Sequence, residues 1–245
     1  MKNTWETIIV DNSQMRLYLS QPFSSGRMPA VVVIQNQNGV GDFTQEMTRR
    51  VAEAGYFAVA PELYHREGEP KTPEQVAGLK DTRRDTNVIN DVNATIKFLG
   101  GCANVDSSRL GIVGFCMGGR VAFLMAGAST SFKAAVDFYG GGVYSQWGDR
   151  PAPSDLVAQV SCPVQGHFGE LDKNPSPDEM RKLDTELSRL GKAHEFFFYA
   201  GAPHAFNAKG RPNYRPEADT VSWARTLAFF RKHLQEEPAR RAAAS

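Results

Sequence analysis

The chain has little of anything that would mark a special class of protein. Cysteine is scarce: three in 245 residues, at positions 102, 116 and 162. An odd, scattered set makes no disulfide framework, so a reduced setting is expected. Neither sign of charge dominates, since 28 Lys and Arg nearly cancel 27 Asp and Glu. Without a basic field, neither nucleic acid nor an anionic membrane is expected as a partner. With 22% charged residues, 22 Gly and 14 Pro, the composition argues against disorder, collagen and coiled coil. The opening Met1-Lys2-Asn3-Thr4-Trp5-Glu6 has no apolar stretch of the kind a signal peptide needs, and a cytoplasmic location is expected. The most apolar window, Leu110 to Ala128, is interrupted by Arg120 and five Gly. A bilayer span would leave that Arg in hydrocarbon, so the window reads as a buried strand, a turn and a helix. No internal repeat or linker is visible.

Short apolar runs alternate with helical patterns. Strands are predicted at Thr7–Val10, Met15–Ser20, Ala30–Ile34, Phe57–Ala60, Leu110–Val113, Ala134–Phe138, Val164–Phe168 and Glu195–Tyr199. The first two flank Asp11-Asn12-Ser13-Gln14, a turn signal, and predict an antiparallel hairpin at a sheet edge. Helical stripes run through Met47, Val51 and Ala54 up to Gly55, and through Val88, Val92, Ile96 and Leu99 up to Gly100-Gly101. Two more run through Met180, Leu183, Leu187 and Leu190 up to Gly191, and through Val221, Ala224, Leu227, Phe230 and Leu234. Gly140 to Pro153 reads as a long loop. This alternation predicts one α/β domain over residues 1–237, a mostly parallel eight-stranded sheet with helices on both faces, and a frayed tail at 238–245. In such a sheet the ligand sits beyond the carboxyl ends of the strands.

Three reactive side chains fall there. Cys116 lies in Gly114-Phe115-Cys116-Met117-Gly118, a G-x-C-x-G form of the nucleophile elbow, between a strand and a helical run. The glycines are needed where strand and helix backbones come too close for side chains. The apex residue is pushed out, and the helix behind it aims amide donors at the sulfur, favouring thiolate. Asp172, in Gly169-Glu170-Leu171-Asp172, follows another strand, where a carboxylate orients an imidazole; Glu170 is its rival. His204, in Pro203-His204-Ala205-Phe206, lies between the last strand and the last helix, where a general base would be supplied. His65, His167, His194 and His233 read as structural or solvated. Cys102 and Cys162 precede strands, at the sheet edge opposite Cys116, so a redox partnership with Cys116 is not expected.

These motifs, with Gly55-Tyr56-Phe57-Ala58-Val59-Ala60-Pro61-Glu62-Leu63-Tyr64 and Phe138-Tyr139-Gly140, resemble the dienelactone hydrolase family of the α/β-hydrolase fold from about Pro29 to Leu234. The resemblance implies a triad of Cys116, Asp172 and His204, and an oxyanion hole from the backbone amides of Gln37 and Met117. It implies no metal or organic cofactor. Asn36 stands where well-studied members carry a Glu that pairs with the resting thiol. Ala208 stands where they carry an Arg for the substrate carboxylate, beside Lys209. Arg83 and Arg84 are candidates for a second carboxylate-binding Arg, and Tyr64, Tyr139, Tyr144 and Trp147 are candidates to line an apolar pocket. The expected activity is hydrolysis of a small ester or lactone through a thioester, with a small-molecule substrate and a monomer or small homo-oligomer. The alternatives are a general carboxylesterase and a non-catalytic binding module on the same fold.

Overall fold

The computed structural model describes residues 1–24, 26–68, 72–148 and 150–235. The tail expected to fray at 238–245 lies outside the described residues. Eight strands form one sheet in the order β1-β2-β4-β3-β5-β6-β7-β8. They are β1 Lys2–Val10, β2 Ser13–Gln21, β3 Met28–Ile34, β4 Phe57–Pro61, β5 Val105–Phe115, β6 Phe132–Phe138, β7 Val164–Gly169 and β8 His194–Tyr199. β1, β2 and β4 are joined antiparallel, and every other pair is parallel. Each predicted strand is present, usually longer at its start. In the β1–β2 hairpin, Val10 faces Ser13, and Asp11 and Asn12 both take positive φ, 48° and 63°. Asp and Asn tolerate that region and supply the two-residue turn that matches strand twist.

Among the described residues there are six α-helices: α1 Asp42–Glu53, α2 Pro73–Thr82, α3 Asp85–Gly101, α4 Met117–Ala128, α5 Pro177–Arg189 and α6 Pro216–Phe230. The pleat of β3 divides the core. Ala30, Val32 and Ile34 face α3, α4 and α5, while Val31 and Val33 face α1 and α6. Strands covered on both faces are therefore apolar at every position, which is why β3 is buried throughout. Leu110 to Ala128 is indeed a strand, a turn and a helix. Among the described residues no helix is long and apolar enough to cross a membrane.

Two helices depart from the sequence-based reading. Of the stripe Val221-Ala224-Leu227-Phe230-Leu234, Phe230 and Leu234 are buried as expected, but Val221 and Ala224 are exposed and Leu227 is half-buried. Val221 is 37% exposed, and Ala218, Ser222, Thr226, Phe229 and Phe230 point inward. The strand beneath explains the rotation. His167 on β7 is fully buried and needs polar partners, and the Thr226 hydroxyl lies 3.1 Å from its Nε2. Tyr199 and Gln165 complete its hydrogen bonds, and burial lowers the His167 pKa to about 3, so it is a neutral core residue. Helix α2 was not foreseen, because it has no apolar stripe and buries Leu79 alone among its described side chains. Its start was nonetheless written in Thr72-Pro73-Glu74-Gln75. Thr72 accepts the Gln75 amide while the Gln75 side chain accepts the Thr72 amide, with Pro73 at the first helical position.

Candidate active site

The elbow between β5 and α4 is built from close backbone contact. A Cβ on Gly114 would overlap the Gly118 carbonyl, and one on Gly118 would press on the carbonyls of Ile34 and Gln35. Only glycine lets α4 start this close to β5 and β3. Cys116 at the apex takes φ 58°, ψ −120°, a conformation that costs a non-glycine residue free energy and turns its side chain outward. The surroundings hold it there: its amide donates to the Phe138 carbonyl at 2.9 Å, and its carbonyl accepts from the Gly119 amide at 2.9 Å. Asp137 packs beneath, against Gly119. Its Oδ1 accepts the Gly140 amide at 2.7 Å, and burial pushes its pKa up to about 8, so it is a neutral acid at pH 7.

The other two strand-end residues meet at this apex. Asp172 is buried, with Oδ1 accepting the Asn174 amide at 2.9 Å and Oδ2 lying 2.7 Å from His204 Nδ1. Glu170, the rival carboxylate, is exposed and lies 3.5 Å from Arg181 instead. Cys116 also acts on the His204 ring, and with Nδ1 on Asp172 the nitrogen left for the sulfur is Nε2. The edge of Tyr139 supports the ring, with centroids 4.9 Å apart. Burial tends to lower the His204 pKa. The hydrogen bonds and negative charge of Asp172 and Cys116 outweigh it and raise the value from 6.5 to about 10.

That shift has a sign. A histidine whose folded pKa exceeds its unfolded value stabilises the fold fully below the unfolded value, here 6.5, and stops doing so as pH rises through about 10. The ring protons of His204, followed by NMR, should therefore titrate near 10 in the native chain. Asp172→Asn and Cys116→Ala should each lower that midpoint, because both partners raise it. A midpoint near 6.5 in the native chain would show that neither partner acts on the ring.

Cys116, Asp172 and His204 open onto a cavity of about 810 Å³ whose lining includes Gln37, Met117, Arg83, Trp147, Lys173 and Asn213. Gln37 and Met117 thus line the same cavity as the sulfur. Among the described residues neither of their amides has a hydrogen-bond acceptor. The Tyr64 hydroxyl bridges the two segments, 3.2 Å from the Gln37 carbonyl and 3.1 Å from Met117 Sδ. Arg83 is half-buried. Its Nε is buried without a hydrogen-bond partner, and its guanidinium lies 5.1 Å from the Trp147 ring centroid.

The remaining candidates lie elsewhere. Lys209 and Asn36 line a separate groove of about 630 Å³, together with Ala208 and Phe43. Asn36 is occupied locally, its Oδ1 accepting the Asn38 amide at 2.9 Å. Arg84 is exposed and packs against Gly148, away from the cavity. Tyr139 is buried behind His204, with its hydroxyl bonded to Asn207 Oδ1, so it supports the ring and does not face the cavity. Tyr144 bonds Glu186. Cys102 and Cys162 are free thiols just before β5 and β7. Two residues passed over as site candidates stand out. Arg120 and Asp85 form a fully buried pair beside the elbow. The signal was present, since a lone Arg inside an apolar run needs a carboxylate, but nothing local says which one. Among the described residues no group of three or more His, Cys, Asp or Glu is placed to hold a metal ion.

Known proteins are similar to this chain in sequence and fold. The sequence profile described as "Dienelactone hydrolase family" matches residues 15–234. A "Putative carboxymethylenebutenolidase" of Methylorubrum extorquens is 34% identical over 221 residues, covering 88% of this chain and 76% of its own. A "Probable 2-oxo-3-(5-oxofuran-2-ylidene)propanoate lactonase" of Bradyrhizobium is 34% identical over 240 residues, covering 94% and 96%. Among solved structures, a "Putative Dienelactone Hydrolase" from Klebsiella pneumoniae superimposes with a TM-score of 0.86 at 31% identity, covering 94% of this chain and 99% of its own.

Proposed function

Because the chain belongs to the dienelactone hydrolase family of hydrolases, we propose that it cleaves small esters or lactones with Cys116 as nucleophile, His204 as acid and base, and Asp172 as the group orienting His204. One observation carries this reading: a single imidazole, bonded to a buried carboxylate, opens onto the same cavity as the elbow cysteine and has its pKa raised by both. His204 takes the Cys116 proton, giving a thiolate beside an imidazolium as the reacting pair. The thiolate attacks the carbonyl carbon. The carbonyl electron pair moves onto oxygen, which the amides of Gln37 and Met117 stabilise by about 3–4 kcal/mol each. Collapse breaks the C–O bond, and the departing alkoxide or enolate takes the His204 proton. A thioester on Cys116 remains; for a lactone the leaving oxygen stays tethered to the acyl group. Neutral His204 then draws a proton from water, the hydroxide adds, and the C–S bond breaks to restore the ion pair and release the acid.

Arg83 is the cation best placed to hold a carboxylate on the substrate, since it lines the same cavity with an unused buried donor. Lys209 opens onto the other groove. The relatives named for lactones support a lactone carrying such a group as the substrate class. A small-molecule substrate in the cytoplasm, with no metal or organic cofactor, is the setting that fits.

Acid quenching during turnover of an activated aryl ester, followed by mass spectrometry of the Cys116 peptide, tests the mechanism. The acyl mass should sit on Cys116 and be released by hydroxylamine. Steady turnover with the acyl group on another residue, or on none under burst conditions, would end the thioester proposal.

A further inference from the structure

Burying an arginine is expensive, and this chain buries one beside its nucleophile. Arg120, in the first turn of α4, is fully buried. Its two terminal nitrogens donate to Asp85 Oδ1 at 2.7 Å and Oδ2 at 3.0 Å. Nε donates to the Gly142 carbonyl at 3.0 Å, and one terminal nitrogen also donates to the Ser145 carbonyl at 2.7 Å. Its flat face lies on Trp147, 3.6 Å from the ring centroid. The Trp147 carbonyl in turn accepts the Asp85 amide at 3.0 Å. One guanidinium thus ties together the nucleophile helix, the start of α3 and the loop 140–148. A lysine offers charge but no planar fork for this task.

The same indole also carries Arg83, a cavity-lining cation whose Nε has no hydrogen-bond partner among the described residues. Asp85 balances the charge of Arg120, so Arg83 is the cation on this ring left for an anion. We propose that Arg120 is a positioning residue for substrate selection: by fixing Trp147 relative to Cys116, it fixes the surface on which Arg83 rests and so the place where a substrate carboxylate is held. This rests on the reading of Arg83 as the carboxylate anchor. It assigns anion selectivity to a pair of residues that never touch the substrate carboxylate, Arg120 and Trp147.

Steady-state kinetics on an anionic half-ester of a short dicarboxylic acid and on its neutral dialkyl ester separate the two ideas. The native chain should prefer the anion, and Arg83→Gln should abolish the preference. Arg120→Lys and Trp147→Leu should each cut the preference by about tenfold or more, through a raised KM for the half-ester, with Trp147→Phe retaining most of it. If Arg83→Gln removes the preference while Arg120→Lys and Trp147→Leu both stay within about twofold of the native ratio, the positioning role is overturned and the Arg83 reading stands. If Arg83→Gln leaves the preference intact, both fall. Should Arg120→Lys fail to fold in thermal melting, the two Trp147 variants decide.

Discussion

Cys116→Ala should lower kcat/KM on small aryl esters and lactones by about three orders of magnitude or more, while far-UV circular dichroism and the melting temperature stay close to native. Removing the sulfur removes the covalent route and leaves only cavity binding and the oxyanion amides. The backbone has no reason to change. Its positive φ is imposed by the Phe138 and Gly119 hydrogen bonds and by the contact of Gly114 with Gly118, and none of these needs the thiol. Cys116→Ser keeps the shape but replaces an ionisable sulfur with a neutral hydroxyl. The variant also loses the Cys116 contributions to the raised His204 pKa, and the ring must draw its proton from a hydroxyl far less acidic than a thiol. The serine variant should therefore recover only a small part of the lost turnover. Native-level hydrolysis in the alanine variant would take Cys116 out of the mechanism.

Arg120→Met should destabilise the fold by about 3–5 kcal/mol, because it leaves the Asp85 carboxylate buried with no counter-ion. It also removes the donors that hold the Gly142 and Ser145 carbonyls, so the loop over the cavity should loosen. Urea unfolding reads the loss as a lower midpoint at a similar slope. The double variant Arg120→Met with Asp85→Leu should regain much of it, since a buried pair is replaced by apolar packing and no orphaned charge remains. Equal losses in the single and double variants would show that the cost comes from packing and not from the unpaired carboxylate.

The strands were legible because each is a short apolar run whose partner positions are set by the chain's own alternation. The hairpin was legible for the same reason: Asp11 and Asn12 announce a turn without help from elsewhere. The elbow spelled itself out in five consecutive residues. Helix α2 was missed because the only signal it carries is a cap, and the face of α6 because its partner is polar. Ser222 and Thr226 look like surface residues until His167 is found beneath them. Lys209 adjoins Ala208, the position matched to a carboxylate-binding Arg, but neighbours in sequence can open onto different cavities. Arg83, far away in sequence, opens onto the cavity of Cys116.

Local chemistry by itself determined that this chain folds as a mostly parallel α/β sheet, with Cys116, Asp172 and His204 each directly following a strand. Parallel connections carry every such residue to the same edge of the sheet, so their meeting follows from order alone. Only the tertiary structure decided which carboxylate holds His204, which arginine shares the cavity, and which acid neutralises Arg120. Those choices depend on distances between segments 32 to 35 positions apart, which loop paths set and no short motif encodes.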